Sequence, residues 1–137
     1  MKKTPPFKFK NIFLINNSEP EMLSDKRAIE MMDIAEKVSF SNKGDEALMC
    51  LMQPGNVPEI IIAGRQMQDM DISDFLTRFA DLPEWVSGFC KVYLLLPAPD
   101  PQKEEQDYRH YKLSKTMHRP LCVYEILEEQ TFPLDFN

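Results

Sequence analysis

Short runs of apolar residues, too continuous to alternate with polar ones, recur along the chain. "NIFLIN" (Asn11 to Asn16), "EIIIAG" (Glu59 to Gly64) and "CKVYLLL" (Cys90 to Leu96) read as buried strands. "KVSFS" (Lys37 to Ser41) alternates and reads as a strand, and "TMH" (Thr116 to His118) reads as a short edge strand. Helical spacing fills the intervals. Ser18-Glu19-Pro20-Glu21 is a helix start, with a serine N-cap, first-turn acids and an early proline whose missing N–H is harmless there. Leu23, Ala28, Ile29, Met32, Ile34 and Ala35 follow at roughly helical intervals. Asp45 to Met52 reads as a short helix ended by Pro54-Gly55. Ile72 to Leu82 is amphipathic, with Phe75, Leu76 and Phe79 on one face. Pro101 to Leu113 reads as a polar helix that buries only Tyr108, Tyr111 and Leu113, and Pro120 to Glu129 as a final helix opening on proline.

Strand and helix thus alternate five times. Non-alternating strands separated by helices imply a parallel sheet covered on both faces. The expected fold is α/β and flavodoxin-like: a doubly wound, five-stranded parallel sheet in the order 2-1-3-4-5. The 137 residues suffice for one domain with a sizeable core, and no repeat or linker divides them. We expect an N-terminal arm over 1–9, a core over 10–129 and a C-terminal tail over 130–137. In that tail Phe132, Leu134 and Phe136 either fold back over the last helix or reach a partner or a dimer mate.

Composition narrows the function classes. The net charge of −6 and the lack of a basic stripe argue against nucleic acid as a partner. Lys2, Lys3, Lys8 and Lys10 are interrupted by Pro5 and Pro6 and read as a solvated arm. Cys50, Cys90 and Cys122 are far apart, show no metal-ligand spacing and suggest free thiols in a reducing cytoplasm. No apolar run is long enough to span a membrane, and none follows the first lysines as a signal core would.

At the strand ends the sequence resembles a response-regulator receiver domain over about Lys10 to Glu129. The resemblance rests on "IFLINN", "EALMCLM", "VPEIIIAGRQMQDMD", "LPEW…KVYLLLPAPDP" and "HRPL", with Met67, Met70, Asp71 and Pro120 retained. Receivers carry an acidic pair after strand one and a phosphoacceptor aspartate after strand three. They carry a hydroxyl residue after strand four and a lysine–proline pair after strand five. The acidic pair matches Asn16 and Asn17, the phosphoacceptor Gly64, the hydroxyl Leu96 and the lysine Arg119. The aromatic residue three positions before that lysine matches Thr116, while the proline and glycine of the loop after strand three match Gln68 and Ile72.

The chemistry that the resemblance implies is therefore missing at each position. Magnesium needs hard, charged oxygen ligands, and two amides and a glycine supply no carboxylate. We expect no metal, no cofactor, no enzymatic activity and no aspartyl phosphate. Asp69 and Asp71 lie past the strand end, and Asp71 reads as an N-cap for the following helix. Pro97, Pro99 and Pro101 stiffen the loop that a receiver needs mobile. Arg119 leaves a single positive charge where a receiver site has a net negative one. The old site is either a packed, hydrogen-bonded corner or a small anion site formed by Asn16, Asn17 and Arg119. His118 reads as an exposed or capping histidine, His110 as solvated and Trp85 as a loop-packing residue. The function implied is a stand-alone pseudo-receiver, a phosphorylation-independent interaction module in two-component signalling. Its partner would be a histidine kinase, another regulator or a second copy in a homodimer. Tyr108, Tyr111 and Tyr124 mark the expected contact face. The alternative is a small-anion or small-molecule sensor using the same cleft.

Overall fold

The computed structural model describes residues 8–98, 108, 111 and 113–128. β1 (Ile12–Ile15), β2 (Val38–Ser41), β3 (Ile60–Ala63), β4 (Lys91–Leu96) and β5 (Lys115–His118) form one sheet in the order β2-β1-β3-β4-β5. Every pairing is parallel, with Ile15 opposite Ala63, Ala63 opposite Leu94 and Leu94 opposite Thr116. This is the expected topology, and β1 and β3 are buried along their whole length as their unbroken apolar runs require.

Alternate residues of each central strand feed two apolar layers. Phe13, Ile15, Ile61, Ala63, Val92 and Leu94 face α2 (Gly44–Leu51), α3 (Ile72–Ala80) and the single turn α4 (Glu84–Ser87). Ile12, Leu14, Ile60, Ile62, Tyr93 and Leu95 face α1 (Glu19–Met31) and α5 (Val123–Glu128). α3 keeps its predicted face: Phe75, Leu76 and Phe79 are buried, and the two phenylalanine rings stack with centroids 6.2 Å apart. α2 ends in a turn that uses Gly55 at φ +85°, a left-handed conformation that suits glycine.

Several expectations need correction. The inner face of α1 is Met22, Asp25 and Ile29, and Leu23 is 46% exposed. The helix stops at Met31, followed by Asp33 in the left-handed region, so Ile34 and Ala35 lie beyond it. Phe9 is no part of a solvated arm. It is buried, bridges to Ala35, and exchanges backbone hydrogen bonds with Ile34 and Glu36, because its ring joins the apolar layer of Ile12, Leu14 and Ile34 and gains from that burial. The last helix starts at Val123, not Pro120. Arg119 N–H still donates to Leu96 at 2.9 Å, prolonging the strand pairing, and a residue before proline is held extended. The Arg119–Pro120 peptide is cis. The predicted helix over Pro101 to Leu113 lies outside the described residues except for Tyr108, Tyr111 and Leu113. The tail over 130–137, Pro99 and His110 also lie outside them.

Candidate functional site

The carboxyl ends of β1, β3, β4 and β5 open on a cleft of about 260 Å³, whose walls include Asn16, Asn17, Gly64, Arg65, Pro97 and Arg119. Parallel topology creates such a crevice where the strand order reverses, here between β1 and β3. Asn16, at the end of β1, is buried, whereas Asn17 is exposed. The Asn16 Oδ1 accepts from Ser18 N–H at 2.6 Å, an Asx turn that leads the chain into α1. Ser18 then caps the helix, its Oγ accepting from Glu21 N–H at 3.3 Å, as predicted.

Gly64 follows β3, and its N–H donates to Ile15 C=O at 2.8 Å. A Cβ placed on Gly64 would lie 2.6 Å from Asn16 Cβ. The space into which a phosphoacceptor side chain would project is therefore filled from β1. On β4 the residue that faces the cleft is Leu95, not Leu96. Leu96 points to the opposite layer, because successive strand residues alternate faces. Both are leucine, so no hydroxyl stands at either place. Thr116 is exposed on the edge strand, outside the cleft.

Arg119 was the one cation expected at the site, and its fork is occupied. Nη1 and Nη2 donate to the two Asp25 carboxylate oxygens at 3.2 and 2.8 Å, and Nε lies 3.3 Å from Glu21 Oε1. Burial disfavours the cation, but the hydrogen bonds and charge of Asp25, with Glu21, outweigh it and raise the Arg119 pKa above its ordinary value. Two carboxylates surround one guanidinium, so the cluster is not the positive site counted from the sequence. Asp25 and Glu21 escaped the sequence reading. The available signal was an acid at Asp25, three residues after Met22 and four before Ile29, on the inward stripe of a helix.

The loop after β3 is tied down by its own residues. Met67 and Met70 are buried, Met67 N–H donates to Met70 C=O, and Gln68 N–H donates to Asn42 C=O, each at 2.8 Å. Asp69 turns away from the cleft to the N-terminus of α2, accepting from Gly44 N–H at 2.6 Å and Asp45 N–H at 3.1 Å. Slight burial opposes its charge, but the backbone N–H groups and Lys43 outweigh this and hold its pKa below the ordinary value. Asp71 caps α3 as predicted, accepting from Asp74 N–H at 2.9 Å. Both aspartates are thus engaged as helix caps.

Magnesium does not fit the side chains present in the cleft. Asn16 Oδ1 is taken by a backbone donor, Gly64 has no side chain, and Asp25 and Glu21 hold Arg119. Of the three tyrosines expected on one contact face, Tyr108 and Tyr111 lie together and Tyr124 stands apart. Tyr108 is buried with the α2–α3 layer, Tyr111 is half-buried beside it, and only Tyr124, on α5, is largely exposed. Burial raises the Tyr108 pKa, partly offset by Arg65. Trp85 is 48% exposed rather than packed into a loop. Cys50 and Cys122 are exposed free thiols, while burial pushes the Cys90 thiol up to about 12. No helix among the described residues is long and apolar enough to cross a membrane.

No protein-family model and no curated protein matches the chain. Solved structures do match. A two-component response regulator from Cytophaga hutchinsonii superposes with a TM-score of 0.76 at 18% identity, over 89% of this chain and 94% of that one. A response regulator receiver protein from Dyadobacter fermentans gives 0.73 at 16% identity, over 87% and 93%. A two-component response regulator from Legionella pneumophila gives 0.69 at 18%, over 88% and 94%. With sheet order, layer arrangement and chain coverage all in agreement, the fold of this chain is that of the response-regulator receiver domain.

Proposed function

We propose that this chain is a pseudo-receiver: a non-enzymatic, phosphorylation-independent interaction module of two-component signalling. The observation that carries this reading is the contact between Gly64 and Asn16. The position of the phosphoacceptor has no nucleophile, and a Cβ there would lie 2.6 Å from Asn16 Cβ, so a side chain would fit only if Asn16 shifted. Three further features support it. Asn16 and Asn17 offer no anionic metal ligand, Arg119 is paired with Asp25, and the nearby Asp69 and Asp71 are held at helix N-termini. A domain with this fold and no phosphoryl chemistry would bind partners without a phosphorylation trigger.

The partner we propose is a histidine kinase, another regulator or a second copy of the chain. The contact would lie on the β5–α5 side, where Thr116 and Tyr124 are exposed; buried Tyr108 takes no part. Sensing of a small anion through the cleft is the weaker reading, since Arg119 is already paired. The test is incubation with Mg²⁺ and a small phosphodonor, read by intact mass, alongside capture of kinases and regulators with and without the donor. We expect no adduct and capture that is indifferent to the donor. A stoichiometric, acid-stable and alkali-labile phosphoryl adduct would overturn the proposal.

A further inference from the structure

Asp25 is the one charged residue that is buried among the described residues, at 5% exposure. It sits on the inward face of α1 between Met22 and Ile29, a position where an apolar residue would pack without penalty. Its carboxylate instead meets Arg119, 94 residues away in sequence, through both oxygens at 3.2 and 2.8 Å. Glu21 takes the third edge of the same guanidinium. Two guanidinium groups stand in the cleft wall, exposed Arg65 and Arg119, and a phosphate or carboxylate that sought the Arg119 fork beside Asn16, Asn17 and Gly64 would need the same planar donors that Asp25 uses. To obtain them it would have to strip a buried carboxylate of its counter-ion.

We infer that Asp25 is an autoinhibitory anion built into α1, which occupies the Arg119 fork and closes that fork to external oxyanions. The fold has kept a receiver-like cleft and a cation at its rim, and α1 supplies the group that fills that cation's valence. Without Asp25 the guanidinium would face the cleft with only half-exposed Glu21 beside it.

Thermal unfolding in inorganic phosphate, against sodium chloride of equal ionic strength, tests this on four proteins: wild type, Arg119→Ala, Asp25→Ala, and Asp25→Ala with Arg119→Ala. We expect no phosphate-specific shift in the wild type. Asp25→Ala should gain one, rising with the logarithm of phosphate concentration and reaching about 4 °C at ten times the Kd. The double variant should lose it. If Asp25→Ala does not fold, Asp25→Asn keeps the shape, removes the charge and should show a smaller gain. Phosphate protection of the wild type that Arg119→Ala abolishes would overturn the inference. So would a folded Asp25→Ala or Asp25→Asn protein that phosphate fails to protect.

Discussion

A side chain at Gly64 must displace Asn16, whose Cβ would stand 2.6 Å from the new Cβ. Overpacking of this kind typically destabilises by about 1–3 kcal/mol. Gly64→Asp, which restores a receiver's acceptor residue, should therefore lower stability by about 2 kcal/mol in urea unfolding and still form no phosphoryl adduct. Unchanged stability would mean that Asn16 yields freely. Arg119→Ala acts through what it leaves behind: a buried Asp25 with no partner. Such breaks cost about 3–5 kcal/mol, and because Arg119 retains about a fifth of its own exposure we place this one near the lower figure, about 3 kcal/mol. Asn16, Asn17, Gly64 and Arg119 were legible in sequence through the resemblance to receivers, whose site residues follow the strand ends. Asp25 was not, since an acid on a helix is ordinarily solvated and nothing in the chain names a partner so far away. The exchange of Leu96 for Leu95 has a simpler cause. A run of three leucines does not say which one faces which layer.

Helix ends show the same division between local and distant information. Asp71 caps the helix that immediately follows it, so its role could be read from its neighbours. Asp69 caps α2, which ends well before it in sequence, and no local pattern reveals that. Loss of an N-cap costs about 1 kcal/mol, so Asp69→Ala should lower the unfolding free energy by about that amount at neutral pH. Because the folded carboxyl titrates below its ordinary value of 3.8, the contribution is complete above that value. It fades as the pH falls through the lowered folded value. Wild type and Asp69→Ala should therefore converge in stability in acid; a gap that persists there would mean the carboxylate charge is not what stabilises α2. The late start of α5 was hidden by Pro120, which in sequence is as good a first helical residue as it is a strand terminator.

At the scale of the whole molecule, one sheet separates two apolar layers and every central strand belongs to both. Neither layer has a core without the strands of the other, so the domain should unfold as a unit. The sole tryptophan, Trp85, lies beside fully buried Val86 in α4, on one face of the sheet. Its fluorescence should follow the same urea transition as far-UV circular dichroism, which reports both faces; two separated midpoints would refute this. Strand order was legible because alternation of buried strands and helices leaves few parallel topologies. The surface was not, since exposure of Tyr124 and burial of Tyr108 depend on packing between distant segments. The contact between Gly64 and Asn16 also constrains how this sequence could have changed or could change again. An aspartate at 64 arriving first meets the Asn16 side chain. A glycine at 16 arriving first, the change that takes away the Cβ in the way, also removes the acceptor that Ser18 N–H uses to begin α1 and opens a gap beside Gly64. Each single step lowers stability, so a side chain at position 64 would be accommodated only together with a change at position 16.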